Sequence, residues 1–178
     1  MKSLTGTIQR IVGMLKPHDA MQKPIRIAIT GGTHTGKTSF LRTLASHLYG
    51  SGHDVGGIIE LPVFKGENRI GYDFVDLKTG ELCRIANKRP SGYGYDFCEE
   101  AWDWAARRLF QSVEVMFVDE LGRLEADGKG LMPSLQQAMK HHEFHLIAAV
   151  RMDALERIAQ ELGGFDNVFT IDAMSEAE

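Results

Sequence analysis

One segment constrains this chain more than any other: Gly31-Gly32-Thr33-His34-Thr35-Gly36-Lys37-Thr38. It fits Gly-x-x-x-x-Gly-Lys-[Ser/Thr] at every fixed position. A β-branched run, Ile25 to Thr30, precedes it. A helical stretch, Lys37 to Tyr49, follows, with Phe40, Leu41, Leu44 and Leu48 on one side. Strand, glycine-rich turn and helix in that order suit a crowded polyphosphate anion. Bare backbone N–H groups can approach it closely, and the helix start offers unsatisfied donors and the positive end of its dipole. The spacing assigns nucleotide contacts to Gly31, Gly32, Thr33, His34, Thr35, Gly36, Lys37, Thr38 and Ser39. Lys37 is expected on the β- and γ-phosphates, and the Thr38 hydroxyl on Mg²⁺.

The second informative string is Met116-Phe117-Val118-Asp119-Glu120, an apolar strand running into two carboxylates. In a parallel sheet, ligands gather at the carboxyl ends of the strands. Asp119 is therefore expected beside Thr38, holding Mg²⁺, and Glu120 is expected to orient and deprotonate a water. Phosphate cleavage also needs positive charge beyond Lys37. Arg69, Arg123 and Arg151 are the candidates, and Arg123, four residues after the metal carboxylate, is assigned a catalytic role. Asp119-Glu120-Leu121-Gly122 also reads Asp-x-x-Gly, as in guanine-nucleotide switches. Asn87-Lys88-Arg89-Pro90 lacks the Asp of their base-reading motif, which disfavours that class.

Elsewhere the pattern alternates between strands and helices, predicting a mainly parallel sheet covered by helices on both faces. An amphipathic helix is expected over residues 1–16, then a linker over 17–24. Its apolar stripe is expected to pack on the chain's own body, with a partner or second copy as the alternative. The boundary falls at residue 22, so residues 23–178 form the nucleotide-binding domain. Residues 54–86 read as antiparallel strands, interrupted by a turn beginning at Pro62. Helices are expected over 96–111, 131–142 and 153–162, and strands over 113–118, 144–150 and 168–171; the acidic tail 174–178 is expected to fray.

Composition bounds the answer. The chain has 178 residues, 43% hydrophobic and 25% charged, which suits one globular domain. A net charge of −4 gives no basic footprint for nucleic acid, which is not an expected partner. No apolar run is long enough for a membrane span. Cys83 and Cys98 match no metal or redox spacing, and with no secretory signal the expected location is cytoplasmic. His141, His142 and His145 read as surface histidines rather than a zinc site, and Trp102 and Trp104 as one core ring and one exposed ring.

Taken in order, the phosphate loop, Arg69-Ile70-Gly71-Tyr72 and Val118-Asp119-Glu120-Leu121-Gly122-Arg123-Leu124-Glu125 resemble a known family across residues 25–171. It is the small nucleoside-triphosphatase family of thermophiles, also called cancer-related nucleoside-triphosphatase. The resemblance implies a RecA-like phosphate-loop fold and slow, Mg²⁺-dependent hydrolysis of ATP, GTP and related nucleotides. It also puts Asp119, Glu120, Arg123 and Glu125 on family motif positions. The chain departs from the family at Glu60-Leu61-Pro62-Val63-Phe64, where Phe64 stands at an expected Arg, and at Ser91-Gly92-Tyr93-Gly94-Tyr95. Two further functions compete with hydrolysis: a kinase passing the γ-phosphoryl to a small acceptor, and a regulatory adaptor acting through the N-terminal helix.

Overall fold

The computed structural model describes residues 4–15 and 23–171. The linker expected over 17–24 falls almost wholly outside them, as does the acidic tail. Helix α1 (Leu4–Met14) precedes strand β1 (Arg26–Gly31), helix α2 (Lys37–Gly50) and strand β2 (Val55–Lys65). Strands β3 (Asn68–Asp76), β4 (Leu82–Lys88) and β5 (Tyr95–Phe97) follow, then helix α3 (Glu99–Arg108). The remainder comprises β6 (Val115–Leu121), α4 (Arg123–Ala126), α5 (Met132–His141), β7 (His145–Arg151), a 3-10 turn (Met152–Ala154), α6 (Leu155–Leu162) and β8 (Asn167–Thr170).

These strands form one eight-stranded sheet in the order β5-β4-β3-β2-β6-β7-β1-β8. From β2 to β8 the neighbours run parallel, and β2 to β5 run antiparallel. The expected mainly parallel α/β sheet with an antiparallel region is therefore present. Both faces are apolar because the parallel strands bury alternate residues in opposite directions. Ile27, Ile29, Phe117 and Ile147 face one cluster with Phe40, Leu41 and Leu44 of α2. Ala28, Met116, Val118 and Ala148 face the other, beneath Ala105 of α3, Leu135 of α5 and Ile158 of α6.

The stripe of α1 packs on the chain's own body. Ile8, Ile11 and Leu15 are buried in the cluster built on α2, and Arg10 lies over the Phe169 ring. A groove of about 590 Å³ runs between α1 and α2, from Leu4 and Val12 to Ser39 and His47.

Several boundaries differ from expectation. β2 continues through Pro62 to Lys65 instead of turning there. Beyond Ile58 it pairs, among the described residues, only with β3, so proline's missing donor matters little on the other side. Tyr95–Phe97 adds a short edge strand to β4, which delays α3 to Glu99. Arg123–Ala126, expected as loop, is one helical turn. Strand β6 extends to Leu121, so both carboxylates lie within the strand.

Trp102 meets Phe74 edge-on, and the Arg108 guanidinium sits 3.8 Å from the centre of the Trp104 ring. The histidines do not cluster: His142 meets the edge of Phe110, whereas His145 is buried and accepts a bond from the Ile25 N–H at 3.1 Å. Cys83 and Cys98 are free thiols.

Candidate active site

Four parallel strands bring their carboxyl ends to one edge of the sheet. Gly31 closes β1, Arg151 closes β7 directly opposite it in register, and Ile58 of β2 pairs with Val118 of β6. The expected nucleotide-binding residues and carboxylates therefore meet at one mouth.

The phosphate loop folds tightly on itself. Gly36 takes a left-handed conformation, φ 88°, which reverses the chain just before α2 begins at Lys37. Gly31 passes so close to the end of β8 that a Cβ there would lie 2.3 Å from the Ile171 carbonyl oxygen. The Thr35 hydroxyl donates to the Gly32 carbonyl at 3.0 Å. Lys37, only 8% exposed, donates from Nζ to the Gly32 carbonyl at 2.9 Å and lies 3.1 Å from Glu120 Oε1. Ser39 is exposed on the first turn of α2, while Thr33 and His34 form the outer rim of the loop.

The carboxylates owe their placement to an irregularity. Between Val118 and Leu121, β6 uses one more residue than β7 does between Ala148 and Val150. Such a bulge re-aims side chains and is frequent beside active sites. Here Asp119 becomes buried, 1% exposed, and accepts from the Thr38 hydroxyl at 2.7 Å. Glu120 stays half-exposed, against Lys37. Burial pushes the Asp119 carboxyl up to about 7, against the Thr38 hydrogen bond; the Glu120 charge adds to the rise, and the Glu60 N–H and Lys37 oppose it.

Sequence reasoning missed Glu60. It stands near the carboxyl end of the parallel part of β2, and burial raises its carboxyl to about 7, helped by the charges of Asp119, Glu120 and Glu125 and opposed by Arg69. The available signal was a lone acid within the otherwise apolar run from Val55 to Phe64. Glu125, which the resemblance puts on a family motif position, is a buried brace. It accepts from the Gly122 N–H at 2.9 Å and the Leu131 N–H at 3.1 Å, fastening both ends of the segment that carries Arg123.

The three candidate arginines separate. Arg123 and Arg151 both reach Asp153 beside the mouth. Arg69 instead donates to the Tyr72 hydroxyl at 2.7 Å and lies over the rings of Phe64 and Tyr72.

The donor set suits a hard cation. Thr38 Oγ1 and Asp119 Oδ2 are adjacent oxygens, and crowded carboxylates surround them. Among the described residues no three His, Cys, Asp or Glu side chains form a metal cage.

Comparison with known proteins places the chain in a family. Residues 26–174 match the model of the NTPase family, leaving α1 outside the match. Nucleoside-triphosphatase THEP1 of Pyrobaculum aerophilum is 32% identical over 142 residues, 78% of this chain and 80% of that protein. The Methanothermobacter thermautotrophicus protein of the same name is 29% identical over 141 residues, 75% and 80% of the two chains. Among solved structures, a human cancer-related nucleoside triphosphatase superposes with a TM-score of 0.66 at 18% identity, covering 87% of this chain and 90% of its own. THEP1 from Aquifex aeolicus superposes with a TM-score of 0.52 at 18% identity, covering 85% and 91%. The chain belongs to the NTPase family, whose matching members are named nucleoside-triphosphatases.

Proposed function

We propose that this chain is a Mg²⁺-dependent nucleoside-triphosphate phosphohydrolase acting on ATP- or GTP-type nucleotides. The observation that carries the reading is the 2.7 Å hydrogen bond between Thr38 and Asp119, 81 residues apart, with Glu120 and Lys37 paired beside it. Thr38 and Asp119 would hold Mg²⁺, which when bound neutralises charge on the β- and γ-phosphate oxygens. The loop from Gly31 to Ser39 directs backbone N–H groups at the phosphates, and Lys37 exchanges its carbonyl partner for phosphate oxygens. Glu120 orients a water and accepts its proton as the water oxygen bonds to the γ-phosphorus. The bond from that phosphorus to the bridging oxygen breaks, releasing nucleoside diphosphate and phosphate. Arg123 adds positive charge at the mouth. The free thiols of Cys83 and Cys98 suit a reducing, cytoplasmic setting.

Phosphate release would be measured against a panel of nucleoside triphosphates, with Mg²⁺ and with a chelator, and with small phosphoryl acceptors added. Glu120→Gln should retain Mg²⁺-nucleotide affinity while turnover falls by about two to four powers of ten. Lys37→Ala should abolish binding in a calorimetric titration. Wild-type turnover by Glu120→Gln would remove Glu120 as the base, and unchanged affinity in Lys37→Ala would end the nucleotide reading. Phosphate appearing only on an added acceptor would make the chain a kinase.

A further inference from the structure

Arg151 closes β7 opposite Gly31, the first residue of the phosphate loop. Its aliphatic arm crosses the bare Cα of Gly122, where an added Cβ would lie 3.1 Å from the Arg151 Cδ. Gly122 is two residues beyond Glu120, so this crossing seats the arginine beside the proposed base. The guanidinium then makes two parallel hydrogen bonds to Asp153: Nε to Oδ1 at 3.0 Å and Nη2 to Oδ2 at 3.2 Å. Arg123 arrives from α4 and donates Nε and Nη2 to the same Oδ2, at 3.1 and 2.9 Å. One carboxylate on the 3-10 turn therefore gathers two guanidiniums from two elements.

Two guanidiniums face one carboxylate, and each uses its Nε–Nη2 edge. Among the described residues neither Nη1 atom has an acceptor. The Asp153 carboxyl is held down at about 2, by Arg151 first and Arg123 second, so the clamp stays ionised at any physiological pH. Arg151 also lies within the electrostatic reach of Glu120. A surface ion pair normally contributes little to stability. This one fixes the direction of a planar five-donor group beside the phosphate loop, a geometry suited to phosphate oxygens. Arg69 is engaged by Tyr72 and two aromatic rings, and Arg123 is 77% exposed, which leaves Arg151 the best placed of the three.

We infer that Arg151 is a further catalytic residue, its guanidinium donating hydrogen bonds to phosphate oxygens as charge builds on them during cleavage. Asp153 is the positioning residue that aligns Arg151 and Arg123 for this. The inference rests on the hydrolase reading above. No proton moves through Arg151; the bonds made and broken are those of the hydrolysis itself.

The test compares Arg151→Ala, Arg151→Lys, Asp153→Asn and Asp153→Glu with wild type in phosphate release, in affinity for Mg²⁺-ADP, and in affinity for Mg²⁺-ADP with aluminium fluoride, which mimics the transferring phosphoryl group. Arg151→Ala should lower kcat by about 10²- to 10³-fold. It should weaken the aluminium fluoride complex by a similar factor, with ADP affinity within about threefold of wild type. Arg151→Lys should recover little, because an ammonium cannot make the paired bonds to Asp153. Asp153→Asn should lower kcat by about tenfold without raising KM, and Asp153→Glu should retain more activity than Asn. Wild-type turnover or an unweakened aluminium fluoride complex in Arg151→Ala overturns the inference. So does an equal loss of ADP affinity, which would mark ordinary ground-state binding. A wild-type chain that releases no phosphate overturns the hydrolase reading itself, and is distinguished by that from a failure of Arg151 alone.

Discussion

Truncating Glu125 to Ala tests whether the segment after β6 hangs on one carboxylate. The side chain is only 3% exposed, and its two oxygens each take a backbone donor, Gly122 N–H on Oε2 and Leu131 N–H on Oε1. Alanine leaves both donors buried without a partner. Each orphaned group costs about 1–3 kcal/mol, which bounds the loss at roughly 2–6 kcal/mol. A water entering the vacated volume can answer one donor, so about 1–3 kcal/mol is expected. For a domain of this size that lowers Tm by roughly 2–12 °C. Glu125→Gln, which keeps one carbonyl acceptor, should lose about half as much. Urea unfolding of nucleotide-free protein measures both. A loss under about 0.5 kcal/mol for Glu125→Ala would refute the brace, because no buried pair of donors could then depend on it.

Three further outcomes follow from the packing. Phe117→Ala empties a fully buried site between β6 and α2 and should cost about 3–5 kcal/mol in urea unfolding; a cost below about 1 kcal/mol would contradict that packing. Removing residues 1–22 exposes the α2 face now covered by Ile8, Ile11 and Leu15, each worth about 1.5–3 kcal/mol. Tm should fall while Mg²⁺-nucleotide affinity stays, and an unchanged Tm or a lost affinity would count against this placement of α1. His145 supplies a pH dependence: burial holds its pKa below the usual 6.5, and protonating Nδ1 would break its bond with the Ile25 N–H. The folded chain therefore binds fewer protons than the unfolded one, so this contribution is complete above about pH 6.5 and is lost as pH falls toward the folded value. His145→Gln should flatten the slope of the urea midpoint between pH 8 and 5.5; an identical slope would rule His145 out as its source.

The glycine-rich turn between β1 and α2 was legible because local rules agree there. A β-branched run, bare glycines and a helix with one apolar side all point to the same turn, and Gly36 takes the backbone conformation that turn requires. The alternation of strands and helices likewise carried the parallel sheet. What escaped is set by partners distant in the chain. Nothing near Glu60 announces that Asp119 and Glu120 will crowd it, and nothing near Asp153 announces that Arg123 will arrive from another element. Pro62 misled for a related reason: its effect on a strand depends on whether a neighbour needs its N–H, and past Ile58 that side of β2 pairs with no strand among the described residues. The bulge at Asp119 and Glu120 is equally silent locally, since it exists only as a mismatch in residue count between β6 and β7.

The unequal pairing of β2 has a consequence for how the molecule opens. From Val55 to Ile58 the strand is held by β6, and Ile58 is gripped between β6 and β3, but Phe64 and Lys65 pair with β3 alone, beyond the stretch of β3 that pairs with β4. Breaking the outer ribbon disrupts one ladder and little core, whereas breaking the inner part requires the whole sheet to come apart. Amide protons should therefore exchange with solvent in a gradient along a single strand, rapidly near Phe64 and at the global unfolding limit near Ile58. The step in that gradient falls at Glu60, so the cluster of acids marks the border between a segment that can fray alone and one that melts only with the rest.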